Sequence, residues 1–255
     1  MSCLYDMYWR LADRRILDRR NQEVRFYRDI LNGFPSKGLI FDIGANKGEK
    51  TDVFLRLPAR AVAIEPDKSN QKILEQKFIR CRAMPKPVVV VGKAVSDTAA
   101  VVTMWVDAPG SALNTLSQKW AETLRIDRRR CGTSELTQKE EIETITIEDL
   151  FASYGMPFFV KIDVEGYELN VLRGLRRPVP YLSFEVNLPD FMPEGLECIE
   201  LLDRVAENGK FNYAADCQRG LKLKQWVGKQ EFLDVFKSCP EPSIEVFWKT
   251  YVSGC

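Results

Sequence analysis

A buried-type strand, a tight glycine turn and a helix start follow one another over residues 39–49, and this segment constrains the fold more than any other. Gly44 and Gly48 remove side chains where a ligand must approach the backbone. The helix that follows presents free N–H groups toward that ligand. A second strand, at residues 61–64, ends in Glu65, an acid that suits the two hydroxyls of a ribose. Together these features predict a nucleoside-binding α/β unit.

The turn has the pattern Asp-x-Gly-x-x-x-Gly, which begins at Asp42 and includes Asn46. It differs from the Gly-x-Gly-x-x-Gly dinucleotide fingerprint, and the chain has no Gly-x-x-x-x-Gly-Lys-Ser/Thr phosphate loop. Asp42 would repel a pyrophosphate but attract a cationic amino-acid group. The pattern resembles motif I of Rossmann-type S-adenosylmethionine (SAM) methyltransferases. A structural glycine turn in another α/β domain is the alternative, and Glu65 makes it the less favoured one.

From residue 39 onward, predicted strands alternate with predicted helices, which favours a mostly parallel sheet. The strands of this series are predicted at 39–43, 61–65, 88–91, 158–164 and 181–186, with later ones near 211–215 and 243–250. Extra strands are predicted at 99–106 and 142–147, and a short helix at 147–154. Seven strands with a late antiparallel pair are typical of the Rossmann-like α/β fold of class I methyltransferases, with helices on both faces of the sheet.

The domain organisation is predicted to be simple. Residues 1–35 form an N-terminal helical extension, and residues 36–255 form one methyltransferase domain. Arginines and acids alternate in the helix at 6–32, so a solvated helix with internal ion pairs is favoured over a basic binding patch. The long polar stretch near 107–140 is expected to act as a lid and to set substrate specificity. Its basic cluster would contact an anionic substrate or face solvent; it comprises Arg125, Arg128, Arg129 and Arg130.

A second motif, Lys-Ile-Asp-Val-Glu-Gly-Tyr-Glu at residues 161–168, identifies a family. With the segments at 41–48 and 64–66 it resembles the FkbM family of methyltransferases. Further matches lie at 94–97, 111–114 and 184–187. The resemblance implies SAM-dependent O-methylation of a hydroxyl on a sugar, glycoconjugate or polyketide-type natural product. Family members often carry histidine where this chain has Tyr167, so the role of that position must differ here.

The candidate site residues gather at the carboxyl ends of the predicted strands, where open α/β sheets place their active sites. Asp163 and Glu165 follow a central strand, and side-chain alternation puts them on the same side as Lys161. The predicted catalytic residues are Asp163, Glu165 and Tyr167. The predicted SAM-binding residues are Asp42, Gly44, Asn46, Gly48, Glu65, Ser96 and Asp163. The alternative for Asp163 and Glu165 is a buried charge network that only anchors the turn.

The chain has no histidine, which removes the commonest general base and metal ligand. A base must therefore be a carboxylate, lysine, tyrosine or thiol, and a carboxylate after the fourth strand is best placed. Asp163, Glu185 and Asn187 offer an all-oxygen set that suits Mg²⁺. Hydrogen bonding by these three side chains is the favoured alternative, so no metal is predicted.

Composition argues against several partners. A net charge of +1 gives no global field toward nucleic acid, and the Asn/Asp-Pro-Pro-Tyr/Phe motif of amino-group methylation is absent. Nucleic-acid or other small-molecule methylation is therefore kept only as an alternative to O-methylation. A non-catalytic SAM-binding protein is a further alternative. Seven cysteines without a Cys-x-x-Cys pair suggest reduced thiols and a cytoplasmic location. No apolar run approaches 18 residues, so no membrane span is expected. The sequence sets neither the acceptor nor the oligomeric state.

Overall fold

The computed structural model describes residues 14–79, 88–126 and 136–251. Its strands are β1 Gly38–Ile43, β2 Ala59–Ile64, β3 Val88–Val91, β4 Ala94–Ser96, β5 Val101–Val106, β6 Gln138–Thr146, β7 Phe159–Ile162, β8 Tyr181–Asn187, β9 Lys210–Ala214 and β10 Ser243–Lys249. Its helices are α1 Arg14–Ile30, α2 Glu49–Leu55, α3 Lys68–Lys77, α4 Gln118–Ile126, α5 Ile147–Tyr154, α6 Glu168–Arg173, α7 Met192–Val205 and α8 Lys229–Lys237.

Seven of the strands form one sheet in the order β3-β2-β1-β7-β8-β10-β9. Pairing is parallel from β3 through β8, and β10 is antiparallel to both β8 and β9. The prediction of a mostly parallel seven-stranded sheet with a late antiparallel pair is confirmed. This order brings the carboxyl ends of β1, β2, β7 and β8 to one edge of the sheet.

Helices cover both faces of this sheet. Consecutive residues of β1 alternate between two core clusters, with Leu39 and Phe41 in one and Ile40 in the other. Parallel strands covered on both faces are apolar throughout, and β1 is buried along its whole length. The predicted strand at 39–43 was recognisable for this reason. No helix within 14–79, 88–126 and 136–251 combines the length and apolar character needed to cross a bilayer.

Helix α1 is part of the main core. Its residues Val24 and Tyr27, and Leu31 just after its end, are buried in the cluster that also holds Phe54 of α2 and Phe159 of β7. Its charges pair with α2: Arg20 lies 3.1 Å from Asp52, and Lys50 lies 2.9 Å from Glu23. Part of the helix predicted at 6–32, residues 6–13, lies outside the described residues.

A smaller sheet has the order β4-β6-β5, with β4 parallel and β5 antiparallel to β6. It corrects one prediction, because Ser96 was expected, with the other candidate site residues, at the carboxyl end of a strand of the main sheet. Strand β3 ends at Val91, and Ser96 instead ends β4 in the smaller sheet. Three residues are too few to show a strand pattern, so β4 was not predicted.

Candidate active site

A cleft opens at the carboxyl edge of the sheet between β1, β2 and β7. Six of the predicted site residues line it, namely Gly44, Asn46, Glu65, Asp163, Glu165 and Tyr167. Its apolar wall comprises Ile43, Ile64, Val95, Met104 and Leu116. The cleft therefore has a polar end and an apolar end, as a nucleoside with a charged substituent requires.

Glu65 is fixed in this cleft by backbone donors. The N–H of Asn46 donates to Oε2 at 2.7 Å, and the N–H of Asp67 donates to Oε1 at 2.9 Å. The side chain is buried, and burial raises the pKa of Glu65 to about 7. Each carboxylate oxygen retains a lone pair, so the group can still accept hydroxyl donors from a ligand.

Two further oxygens of the cleft have no hydrogen-bond partner within the described part of the chain. The side-chain Oδ1 atoms of Asn46 and Asn70 are buried, and both residues line the cleft. Buried acceptors without partners are rare because leaving one unsatisfied costs about 1–3 kcal/mol. A ligand that brings hydroxyl or ammonium donors would satisfy them, and the ribose and amino-acid ends of SAM have both.

The two motif I glycines are required by packing within the protein, and their role in SAM binding stays a prediction. At Gly44, φ is +81°, and a Cβ would lie 1.8 Å from the carbonyl oxygen of Asp163. At Gly48, φ is +72°, and a Cβ would lie 2.6 Å from Leu74 and 2.7 Å from Phe78. Gly44 thus allows the β1 and β7 turns to touch, whereas Gly48 allows α3 to approach the start of α2. Gly48 is not among the described residues that line the cleft.

Asp42 lies behind the cleft. It is fully buried, its Oδ2 accepts a hydrogen bond from Thr51 Oγ1, and it pairs in register with Lys161. Burial raises the pKa of Asp42, while Lys161 and Thr51 oppose that rise. Asp42 is therefore not positioned to contact a ligand in the cleft. Its charge acts through Lys161, and its role in SAM binding stays a prediction.

Asp163 forms the wall between the cleft and a second cavity, and it lines both. Its Oδ2 accepts a hydrogen bond from Lys161 Nζ at 2.7 Å. Despite burial, this ammonium holds the pKa of Asp163 below its usual range. The Lys161 pKa is raised by Asp163, Asp42 and Glu245, although burial alone would lower it. Asp163 is therefore an anion at neutral pH and a weak proton acceptor.

The second cavity lies over β7, β8 and β10 and encloses about 240 Å³. Its lining is mostly charged and comprises Glu23, Lys50, Lys161, Asp163, Glu185, Asp216 and Glu245, with Ser243 and Cys217. Glu23 and Lys50 come from α1 and α2 and form the ion pair described above. Helix α1, predicted as an extension, thus supplies a wall of this cavity.

A repeated Ser-x-Glu pattern builds the floor of the second cavity. Strands β8 and β10 carry it as Ser183 to Glu185 and Ser243 to Glu245, and the two glutamates lie directly opposite each other. Ser243 Oγ donates to Glu185 at 2.8 Å, and Ser183 Oγ donates to Glu245 at 2.7 Å. Like charges directly opposite are destabilising, so each serine offsets part of that repulsion. The sequence prediction did not include this pattern.

The turn after β7 places Glu165 and Tyr167 in the first cleft. Glu165 has a φ of +55°, and its carbonyl oxygen accepts a hydrogen bond from Thr115 Oγ1 at 2.7 Å. Burial and the neighbouring charge of Asp163 raise the pKa of Glu165 to about 8. The Tyr167 hydroxyl and Ser96 Oγ lie 3.2 Å apart. Ser96 thus meets the site through Tyr167, and it is not among the described lining residues.

The insert near 107–140 covers the first cleft in its described part. Ser111, Asn114, Thr115 and neighbouring residues line that cleft, whereas the described lining of the second cavity contains no residue of the insert. Asn114 Nδ2 donates to Asp67 Oδ2 at 2.8 Å, and the Gly110 N–H donates to the same oxygen at 2.9 Å. The cleft beneath encloses about 100 Å³, less than the roughly 300–1,000 Å³ of most ligand pockets. A ligand as large as SAM therefore requires this segment to move.

The basic cluster predicted in the insert is described only at Arg125, since Arg128, Arg129 and Arg130 lie outside the described residues. Arg125 Nη2 donates to the carbonyl of Leu136 at 2.7 Å, and its guanidinium lies 4.9 Å from the Trp105 ring centroid. Arg125 therefore makes contacts within the insert and with the adjoining strand β5.

A family model for the methyltransferase FkbM domain matches residues 42–209 of the chain. The crystal structure of methyltransferase FkbM from Methylobacillus flagellatus is similar, with a TM-score of 0.55 and 17% identity. The match covers 87% of this chain and 46% of that one, so this chain spans about half the length of that relative. A search of curated proteins finds no match.

Two other solved structures are more distant. A TehB-like SAM-dependent methyltransferase from Corynebacterium glutamicum has a TM-score of 0.44 and 9% identity, covering 90% of this chain and 88% of that one. The plantazolicin methyltransferase BpumL, in complex with SAH, has a TM-score of 0.45 and 10% identity, covering 97% and 89%.

Proposed function

Because this chain belongs to the methyltransferase FkbM family, we propose that it is a SAM-dependent O-methyltransferase. The acceptor is a hydroxyl of a sugar, a glycoconjugate or a polyketide-type natural product. The observation that carries the proposal is the pair of cavities that share Asp163 as a common wall. One cavity suits a nucleoside with a charged end, and the other is polar and open to an acceptor.

The first cleft would hold SAM through groups that now lack partners or retain lone pairs. Glu65 would accept the ribose hydroxyls, and the amide oxygens of Asn46 and Asn70 would accept further donors. The carboxylates of Asp163 and Glu165 would favour the positive end of the ligand. SAM supplies an activated methyl group on a sulfonium, so the protein's own contribution is orientation and exclusion of water.

The second cavity would hold the acceptor. Its charged and hydroxyl-bearing wall, from Glu23 and Lys50 to Glu185 and Ser243, offers many hydrogen bonds and little apolar surface. A polyhydroxylated acceptor satisfies such a wall, whereas an apolar one would leave buried polar groups unpaired. Asp163 would then face both ligands where the methyl group passes between them.

Binding of SAM and of its product S-adenosylhomocysteine (SAH) is the first test. We expect calorimetry to give saturable binding of both by the wild-type protein. The conservative Glu231→Gln variant, on the exposed face of α8, should behave as wild type. Absence of binding for both ligands would refute the proposal at its first step.

Methyl transfer is the second test. The protein is incubated with SAM labelled in its methyl group and with panels of sugars, glycoconjugates and hydroxylated polyketides. We expect labelled product whose methyl group resides on oxygen, and a loss of roughly 10²-fold or more in kcat for Asp163→Asn, which removes a charge that faces both ligands. Transfer to nitrogen or carbon instead would overturn the O-methyl assignment and leave the family assignment intact.

A further inference from the structure

Three carboxyl groups meet where the two cavities join. One oxygen from each of Asp163, Glu165 and Glu185 lies within 4.8 Å of the others. Asp163 lines both cavities, Glu165 lines the first and Glu185 lines the second. The cluster therefore spans the path that a methyl group would take from donor to acceptor.

The cations around this cluster do not neutralise it. Lys161 is bonded to Asp163, and Lys50 is bonded to Glu23. Glu185 instead contacts the Asp163 carboxyl and the Ser243 hydroxyl. The other titratable groups that face the cluster are Asp42 from β1, Glu168 from α6 and Glu245 from β10. All three are acids, so they add negative charge around the cluster.

Two carboxyl groups in contact, with an ammonium bonded to only one of them, are stable when they hold a proton together. The pKa directions agree with the contacts. Burial and the charges of Asp163 and Glu165 raise the pKa of Glu185 well above its usual range. Burial and the charge of Asp163 likewise raise the pKa of Glu165 to about 8. In the ligand-free protein the cluster is therefore protonated at neutral pH.

We propose that the Asp163–Glu165–Glu185 cluster is a proton store that senses the sulfonium charge of SAM and releases a proton when SAM binds. The proposal rests on the proposed function, because it requires SAM in the first cleft. A positive charge entering that cleft does what a proton does for the cluster, namely neutralise the excess of carboxylates. SAH has a neutral thioether in place of the sulfonium, so it leaves the cluster protonated.

The consequence for catalysis concerns Glu185, the member that lines the acceptor cavity. Once its proton has gone to solvent, it is a carboxylate beside the acceptor. In the transfer step the hydroxyl oxygen forms a bond to the methyl carbon, and the carbon–sulfur bond breaks with its electron pair going to sulfur. The oxygen–hydrogen bond breaks with its pair going to oxygen, and Glu185 takes the proton. The products are the methyl ether, neutral SAH and a protonated cluster.

The test measures proton release on ligand binding and needs no acceptor. Calorimetric titrations of SAM and SAH are run at pH 7 in two buffers of different ionisation enthalpy, and the difference in heat counts the protons released. We expect SAM to release up to one proton more than SAH. The SAM dissociation constant should fall by up to tenfold per pH unit between pH 6 and 8, while that of SAH changes far less.

SAH is the matched control for all other titrating groups. It shares the adenosine and amino-acid parts of SAM, so a proton lost from Glu65 appears with both ligands and cancels. Glu165→Gln and Glu185→Gln should each reduce the excess proton release, and the double variant should abolish it. Glu231→Gln should leave it unchanged.

Equal proton release by SAM and SAH in the wild-type protein would overturn the proposal, and so would an excess that survives in the double variant. Both single variants are checked by their melting temperatures, and the wild-type comparison stands even if the double variant does not fold. Failure of both ligands to bind would refute the proposed function, whereas binding without excess release would refute only the proton store.

Discussion

Gly44 joins the two binding turns at the scale of a single residue. A Cβ there would lie 1.8 Å from the Asp163 carbonyl oxygen, whereas at Gly33, which has a comparable φ of +79°, it would meet nothing within 4 Å among the described residues. Both substitutions to alanine strain the backbone, by about 1–2 kcal/mol. Gly44→Ala must also displace a strand-end carbonyl, which costs about 1–3 kcal/mol more. We expect denaturant unfolding to show that difference, and equal losses would mean that the turns separate easily.

Glu65 is the residue on which we expect SAM affinity to depend most directly. A charge-assisted hydrogen bond contributes about 1.5–3 kcal/mol, so Glu65→Gln should weaken SAM by about tenfold or more. Glutamine retains one acceptor oxygen for the backbone donors of Asn46 and Asp67, and alanine would lose both. Calorimetry with the Glu231→Gln variant as control measures the effect. Unchanged affinity would show that the ribose lies elsewhere.

At the scale of elements, helix α4 of the insert packs into the main core. Leu124 of α4 is fully buried in the main cluster, while Ile126 in the same helix is 85% exposed. Leu124→Ala should therefore cost about 2–5 kcal/mol of unfolding free energy, and Ile126→Ala about 0.5 kcal/mol or less. Chemical denaturation of both variants measures this. A small loss of unfolding free energy for Leu124→Ala would instead indicate that the insert is a lid separate from the core.

The elements that could be predicted from sequence are those with a local signal. The apolar runs of β1 and β7 and the Thr146–Asp149 capping box of α5 are such signals. Helix α4 was missed because its exposed Gln, Lys and Glu residues made the stretch 107–140 read as polar throughout. Helix α8 was also not predicted. Both helices bury an apolar face against the rest of the protein, and this face stabilises them only once the sheet has formed.

The site shows the same division. Each of five residues that line the first cleft could be proposed from sequence because it belongs to a motif within one segment, namely Gly44, Glu65, Asp163, Glu165 and Tyr167. Their roles stay predictions. The Ser-x-Glu floor of the second cavity was not predicted, because it depends on which strands are neighbours in the sheet. Strands β8 and β10 are far apart in the chain, and the register that sets Glu185 opposite Glu245 is a property of the assembled sheet.

The buried acids make the stability of the whole molecule depend on pH. Burial raises the pKa of Glu65 to about 7, of Glu165 to about 8 and of Glu168 to about 7. The unfolded values lie near 4.5. The folded protein therefore binds more protons than the unfolded chain between these limits. This contribution to stability is fully present below pH 4.5 and is lost as pH rises through 7–8.

We expect the melting temperature of the ligand-free protein to fall by several degrees between pH 6 and 8.5. A change of 1 kcal/mol shifts it by about 2–4 °C in a chain of this size. Glu165→Gln should flatten the decline, because glutamine does not titrate, and Glu231→Gln should follow the wild-type curve. A melting temperature that rises over this range would contradict the pKa directions.

The contact between Gly44 and the Asp163 carbonyl also decides which parts of the molecule can move when a ligand enters. The β1 and β7 turns share backbone hydrogen bonds with their sheet, from Gly44 N–H to Ile64 and from Asp163 N–H to Ile43. These amides should exchange with deuterium slowly, with or without SAM. Among the described residues that line the cleft, those near Gly110 and Asn114 are held to Asp67 by two hydrogen bonds to its side chain. We expect SAM entry to require the opening of those two hydrogen bonds, so Asn114→Ala should quicken it.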